Sequence, residues 1–144
     1  MKHPYPWKYP EGLEEYIKPT YFADSDSKEI QNSLTEILNG VKTSKEAAIK
    51  IYYFVRDEIK FATGDVGLKA SQTLKIKKGP SLLKGSLMIA MLRTVGIPAR
   101  YCLIDADEKK VRGIVDDLSV LVVSLVSPDS KKSCCFAHNP ASIS

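Results

Sequence analysis

Residues Lys78 to Arg100 read KGPSLLKGSLMIAMLRTVGIPAR and predict a buried helix around which the rest of the chain is arranged. An amphipathic surface helix keeps one face for charged groups, whereas this segment carries apolar side chains around most of its circumference. Gly96 suits the left-handed position that follows a helix, and Pro98 prevents the helix from continuing. The start of the helix, near Ser81, is the first place to look for a functional site, because backbone N–H groups lack partners there and the helix dipole favours negative charge.

This stretch resembles the signature of the transglutaminase-like superfamily, which shares its core with papain-type cysteine proteases. In that signature a leader of the type A-S-x-T-L precedes G-x-C, a helix and the motif L-L-R-x-x-G-I-P-A-R. Here the leader spans Ala70 to Leu74, the glycine is Gly79, and the closing motif spans Met91 to Arg100. Counting back from that motif places the family's nucleophilic cysteine on Ser81. The resemblance covers about residues 30–140 and implies an α+β, papain-like fold, with a central helix on a small antiparallel sheet and additional N-terminal helices.

The resemblance also implies a catalytic cysteine, histidine and aspartate, and all three matching positions hold other residues. Ser81 stands at the cysteine position, Leu118 (or Asp117, after a slip of one residue) at the histidine position, and Asn139 at the aspartate position. A helix dipole alone cannot ionise a serine hydroxyl, so Ser81 would need an aligned general base. We therefore interpret the chain as a degenerate member that lacks the triad, with Ser81 as a helix N-cap, for which serine is among the preferred residues.

Other candidate groups lie near the end of the chain. His138 is a possible stand-in for the missing base, but neighbouring residues of a strand point to opposite faces, so His138 faces away if Asn139 faces the site. Of the adjacent Cys134 and Cys135, one thiol is expected to point inward, and the outward one could be redox-sensitive because lysines precede it. Three cysteines at this spacing match neither a disulfide framework nor a zinc site, so we expect no metal and no cofactor.

The composition excludes several classes of function. With 144 residues, 44% hydrophobic and 26% charged, the chain has the make-up of one globular domain. A net charge of +4 is mild, and the lysines around the start of the central helix, including Lys84, are interpreted as solvated, so no nucleic-acid partner is expected. The N-terminus lacks an apolar signal segment, and no apolar run approaches the roughly 20 residues of a membrane span. We expect a cytoplasmic protein without membrane contact.

The remaining elements follow from the local patterns. Residues 1–24 are rich in proline and aromatic residues and predict an arm, with a short helical turn around residues 12–17, whose rings pack onto a single domain formed by residues 25–144. Ser25 or Asp26 is expected to cap a first helix, and a capping box at Thr43 to Glu46 opens a second. Residues 61–68 are expected to form a loop and residues 69–78 a lead into the central helix. Strands are predicted at residues 100–105, 118–126 and 133–138.

Two functions of different classes are consistent with these patterns. The leading hypothesis is a catalytically inactive domain that serves as a binding or structural module for an unknown protein or peptide partner. The alternative is a weak hydrolase or acyl transferase that uses Ser81 in place of the family cysteine. Ser81 could also be a recently lost or engineered cysteine. An exposed edge of the small sheet could pair with a second copy and give a homodimer.

Overall fold

Four helices and five strands make up the computed structural model, which describes residues 5–8, 11–105, 119–125 and 134–137 of the chain. A single turn of 3-10 helix at Glu14–Tyr16 precedes them, where a helical turn was predicted. The helices are α1 (Lys28–Ile37), α2 (Ser44–Glu58), α3 (Ala70–Ile76) and α4 (Ser81–Thr94). The strands are β1 (Lys60–Phe61), β2 (Lys78–Gly79), β3 (Ala99–Asp105), β4 (Ser119–Leu125) and β5 (Cys134–Ala137).

Helix α4 forms the centre of the molecule, as the sequence predicts. Every residue from Leu83 to Arg93 is buried, and α1, α2, α3, β3 and β4 all contact the helix. Burying one leucine, isoleucine or methionine side chain stabilises the folded state by roughly 1.5–3 kcal/mol. Helix α4 therefore supplies a large share of the stability of the core. Helices α1 and α2 pack against α4, as expected, through buried residues such as Leu34 and Ile51.

The end of α4 is fixed by a hydrogen-bonded turn. Gly96 adopts the left-handed conformation, with φ of 78°. Its N–H donates to Arg93 O at 3.0 Å, and Ile97 N–H donates to Leu92 O at 2.9 Å. This pair of bonds is the Schellman motif, which satisfies carbonyls that the helix leaves without partners. The predicted C-terminal boundary is confirmed.

The starts of the first two helices differ in detail from the sequence predictions. Helix α1 follows Ser27 rather than Ser25 or Asp26, and Ser25 is instead buried, with its carbonyl accepting from Thr94 Oγ1 at 2.7 Å. At α2, Thr43 Oγ1 accepts from Glu46 N–H at 3.2 Å, which is one half of the predicted capping box. In the second half of a capping box the Glu46 carboxylate would accept from the N–H of Thr43. Here it accepts instead from Lys42 N–H, at 3.5 Å.

Residues 60–79 contain three elements that the sequence patterns did not predict: one helix and two short strands. Helix α3 occupies most of the segment expected to be a lead into α4, and it buries Ala70, Thr73 and Leu74. Strand β1 pairs with β2 in parallel, with Lys60 opposite Lys78 and Phe61 opposite Gly79. The predicted loop is therefore shorter by one residue at its start, and the residues after β1 connect it to α3.

The three-stranded sheet is antiparallel in the order β3-β4-β5, and it confirms the predicted strands and the α+β class. Its register runs from Ala99 opposite Leu125 to Asp105 opposite Ser119. Among the described strands, β3 and β5 form the two edges. Pairing of a second copy along such an edge stays a prediction. None of the helices in the described segments is long and apolar enough to cross a bilayer.

The N-terminal arm contacts the core through some of its rings. Trp7 Nε1 donates a 2.7 Å hydrogen bond to Val95 O, at the end of α4, and the ring of Tyr5 stacks on Trp7 at a centroid distance of 5.0 Å. Both rings pack against the buried hydrophobic core. Tyr21 and Phe22 differ from the expectation, because they are 68% and 47% exposed. The division of the chain into an arm and one domain remains a prediction.

Replacing Trp7 with phenylalanine is expected to lower the free energy of unfolding by about 1–2 kcal/mol, because the carbonyl of Val95 loses its donor while much of the ring contact remains. The measurement is urea denaturation followed by circular dichroism. Tyr21→Phe is the control, and it should change stability by less than about 0.5 kcal/mol, since this ring is largely exposed. Equal effects of the two substitutions would contradict a docked arm.

Candidate functional site

Ser81 is the first residue of α4 and is partly exposed. Pro80, not Ser81, occupies the N-cap position, since Pro80 O accepts the first intrahelical bond from Lys84 N–H at 3.1 Å. The prediction that Ser81 is the N-cap is therefore wrong by one position. Within the described residues, no hydrogen bond to the Ser81 hydroxyl is present, so this hydroxyl does not serve to cap the helix.

The first turn of α4 presents backbone donors beside Ser81. The N–H groups of Ser81, Leu82 and Leu83 precede the first intrahelical bond, which begins at Lys84. Donors at a helix N-terminus favour an anion or a developing negative charge, and the helix dipole adds to this effect. An oxyanion formed next to Ser81 would meet such donors.

The strand directions bring the start of β4 and the end of β5 toward the same end of α4. Arg93 Nε donates to Ala99 O at 3.0 Å and the hydroxyls of Ser86 and Tyr101 lie 2.6 Å apart, so β3 runs antiparallel to α4. Strand β4 therefore begins toward the N-terminal end of α4, and β5, which is antiparallel to β4, ends toward it.

The residues predicted at the other two triad positions lie outside the described residues. These are Asp117, Leu118, His138 and Asn139. Their predicted roles therefore remain predictions, as does the redox sensitivity of Cys134 or Cys135. In the described part of the chain, no group of three or more His, Cys, Asp or Glu side chains could hold a metal ion.

The prediction that Lys84 is solvated is wrong. The side chain of Lys84 is completely buried, one turn after Ser81. Its Nζ donates to Arg56 O at 3.5 Å, near the C-terminal end of α2, where helix carbonyls lack partners and attract a cation. Desolvation lowers the pKa of Lys84 to about 8, and the nearby carboxylate of Asp57 partly opposes this effect. The burial of Lys84 had one signal in the sequence, namely its position within a helix that carries apolar residues on nearly every face.

A cavity of about 520 Å³ opens beside the first two turns of α4. Its walls are mainly apolar, and four of the large side chains in them are 37–54% exposed. Its one close polar pair is the 2.6 Å hydrogen bond between the hydroxyls of Ser86 and Tyr101, and burial raises the pKa of the Tyr101 phenol. The lining residues are Thr20, Phe22, Val66, Gly67, Leu82, Ser86 and Tyr101. They come from four separate segments, so no local pattern could predict the cavity.

The central buried helix, the antiparallel sheet and a nucleophile position at the helix start define a domain of the papain-like class. The chain belongs to the transglutaminase-like superfamily, which matches it over residues 31–129. A similar solved structure is described as "a Putative Cysteine Protease from Cytophaga hutchinsonii", with a TM-score of 0.70 and 16% sequence identity. The match covers 89% of this chain and 42% of that one, and at this identity it shows the fold alone. Comparison with curated protein sequences gives no match.

Proposed function

We propose that this chain is a transglutaminase-like domain that is inactive as a cysteine enzyme and binds a segment of a protein or peptide partner. The observation that carries the proposal is the apolar cavity beside the start of α4, where family members place their nucleophile. Ser81 replaces the cysteine there, and a hydroxyl is a far weaker nucleophile than a thiolate unless a base activates it.

The exposed apolar walls of the cavity support a binding role. Phe22, Val66, Leu82 and Tyr101 are 47%, 54%, 41% and 37% exposed, and they gather around one concave space. Single exposed apolar residues are ordinary, whereas a contiguous group around a concavity is typical of a binding site. A volume of about 520 Å³ lies within the range of pockets that accept a ligand or a few side chains.

The chemistry of the walls defines the kind of partner. A segment that inserts one large apolar side chain would cover the exposed rings and the Leu82 side chain. The hydrogen-bonded hydroxyls of Ser86 and Tyr101 could then bond one polar atom of the segment, such as a backbone carbonyl or N–H. We therefore propose an uncharged, apolar peptide segment as the partner.

Replacing Leu82 with serine is expected to weaken peptide binding at least tenfold, about 1.4 kcal/mol, because it removes an apolar wall of the cavity. Peptides are first selected from a random display library on the wild-type protein, and their affinities are then measured by fluorescence anisotropy. Ile49→Ser is the matched control, since Ile49 is 39% exposed on α2 and does not line the cavity. Failure to select any peptide, or equal losses in both variants, would contradict the proposal.

A further inference from the structure

A buried lysine lies one helical turn from the serine that replaces the family's nucleophile. Ser81, Leu82, Leu83 and Lys84 form the sequence S-x-x-K at the start of a buried helix. Residues three apart on a helix are neighbours, and helical side chains lean toward the N-terminus, which directs the stem of Lys84 back toward the turn that holds Ser81. Some serine acyl-transfer enzymes place a lysine three residues after their nucleophilic serine in the same way.

We propose that Ser81 and Lys84 form a nucleophile and general-base pair that allows this domain to accept an acyl group on the Ser81 oxygen. The substrate class is an activated acyl compound, namely an ester or thioester. This activity goes beyond the binding function and does not rest on it, because it uses the Ser81 hydroxyl, the Lys84 amine and backbone N–H groups, whereas the binding function uses apolar side chains of the cavity.

The burial of Lys84 is the observation that supports the base role. Its side chain is 0% exposed, and of three N–H donors one is engaged among the described residues, at 3.5 Å from Arg56 O. A buried ammonium held by one long hydrogen bond loses its proton more readily than a solvated one. Once neutral, the amine no longer has the charge that attracts it to the end of α2, and the proposed base role requires it to turn toward Ser81.

The charge near Lys84 does not prevent its buried ammonium from losing a proton. Within the described residues the charge that acts on the Lys84 ammonium is the carboxylate of Asp57 on α2, and this carboxylate is joined to Arg56 by a bond of 2.7 Å between Arg56 Nε and Asp57 Oδ1. Because the arginine neutralises much of the carboxylate, Asp57 offsets only part of the desolvation of Lys84. A fraction of neutral amine is therefore present near pH 8.

The reaction steps balance with the groups that are present. Lys84 Nζ takes the hydroxyl proton as Ser81 Oγ bonds to the carbonyl carbon of the ester or thioester. The N–H groups at the start of α4 stabilise the oxyanion. The bond to the leaving group then breaks, and the ammonium returns its proton to the departing alkoxide or thiolate. Water hydrolyses the resulting serine ester, which gives the carboxylic acid and restores the hydroxyl of Ser81.

The test is covalent labelling with a fluorophosphonate probe, in which the Ser81 oxygen bonds to phosphorus and fluoride leaves. The full chain is treated between about pH 6 and pH 10, and the labelled residue is located by mass spectrometry of its peptides. We expect one label on Ser81, at a rate that rises with pH and levels off once Lys84 is neutral. Ser81→Ala should abolish the label.

The base role is tested by two substitutions of the lysine. Lys84→Met should slow labelling about 100-fold or more, the usual contribution of a general base, and Lys84→Arg should be equally slow because a guanidinium stays protonated. Lys78→Met is the control, since Lys78 is exposed three residues before Ser81, and it should leave the rate within about twofold. If Lys84→Met does not fold, the labelling rate of Lys84→Arg and the pH profile of the wild type decide whether Lys84 is the base.

Three results would overturn the proposal. They are no label on Ser81 above the Ser81→Ala background, a rate that Lys84→Arg leaves unchanged, and a wild-type rate that does not depend on pH in this range. Peptide binding in the cavity is measured separately with the Leu82 variant, so failure of the acyl-transfer proposal is distinguishable from failure of the binding proposal.

Discussion

Replacing Arg93 with methionine is expected to lower the free energy of unfolding by about 3–5 kcal/mol. Arg93 is buried near the end of α4, and its guanidinium donates three hydrogen bonds to backbone carbonyls. Nε and Nη2 bond Ala99 O at 3.0 and 2.8 Å, and Nη1 bonds Lys18 O at 2.8 Å. Bonds from a charged donor contribute about 1.5–3 kcal/mol each, and methionine of similar length leaves both carbonyls without these donors.

The bonds of this side chain also give Arg93 a structural role in this chain. Ala99 begins β3 directly after the Gly96-Ile97-Pro98 turn, and Lys18 lies in the N-terminal arm. Arg93 therefore joins the end of the central helix to the first strand of the sheet and to the arm. Burial lowers the pKa of the guanidinium, but an arginine stays charged at any pH at which the protein is handled.

The control for Arg93 is the neighbouring arginine of the same motif. Arg100 is exposed, and its guanidinium lies 5.8 Å from the centroid of the Tyr16 ring, a contact worth about 0.5–1 kcal/mol at an exposed site. Arg100→Met should therefore lower stability by less than about 1 kcal/mol. Both variants are compared with the wild type by urea denaturation. A loss below about 1 kcal/mol for Arg93→Met would show that the three bonds are not net stabilising.

The parts of the fold that could be predicted from sequence have strong local signals. Helix α4 is apolar on nearly every face and ends at a glycine and a proline, and the long strand β4 is rich in β-branched residues. Helix α3 was missed because its seven residues are few and partly polar, so they resemble a connecting loop. Its signal was the spacing of Ala70, Thr73 and Leu74, which places all three on one buried face.

The candidate site was predictable only in part. The signature located Ser81 at the start of α4, and the structure places it there, one position after the N-cap. The burial of Lys84 could not be read from its residue type, since lysine is almost always exposed. Helix α2 packs against α4 and places Arg56 O beside the Lys84 ammonium, a tertiary arrangement that no local pattern contains.

The stability of the wild-type protein is expected to rise by about 2 kcal/mol between about pH 7.5 and pH 9.5, because of Lys84. Its pKa is about 8 in the folded chain and near the ordinary 10.5 in the unfolded chain. Between these two values the unfolded state binds more protons than the folded state, so stability increases with pH. The gain is absent below about pH 8, where the lysine is charged in both states, and it is complete above about pH 10.5.

The upper limit of the measurement is set by two tyrosines. Burial raises the pKa of Tyr5 and of Tyr101, so the folded chain resists ionisation of these phenols and stability falls as pH rises above about 10. Urea denaturation at intervals from pH 7.5 to pH 9.5 avoids this region and isolates the effect of the lysine.

Lys84→Met should remove the dependence, because methionine has no proton to lose, and stability should then stay within about 0.5 kcal/mol over the same range. Lys78→Met keeps the buried lysine and should retain the full rise. If Lys84→Met rises as steeply as the wild type, the pH dependence comes from another group and the amine of Lys84 is not desolvated in the folded protein. If the rise disappears, the amine is neutral over part of this range, which is the state that a base for Ser81 requires.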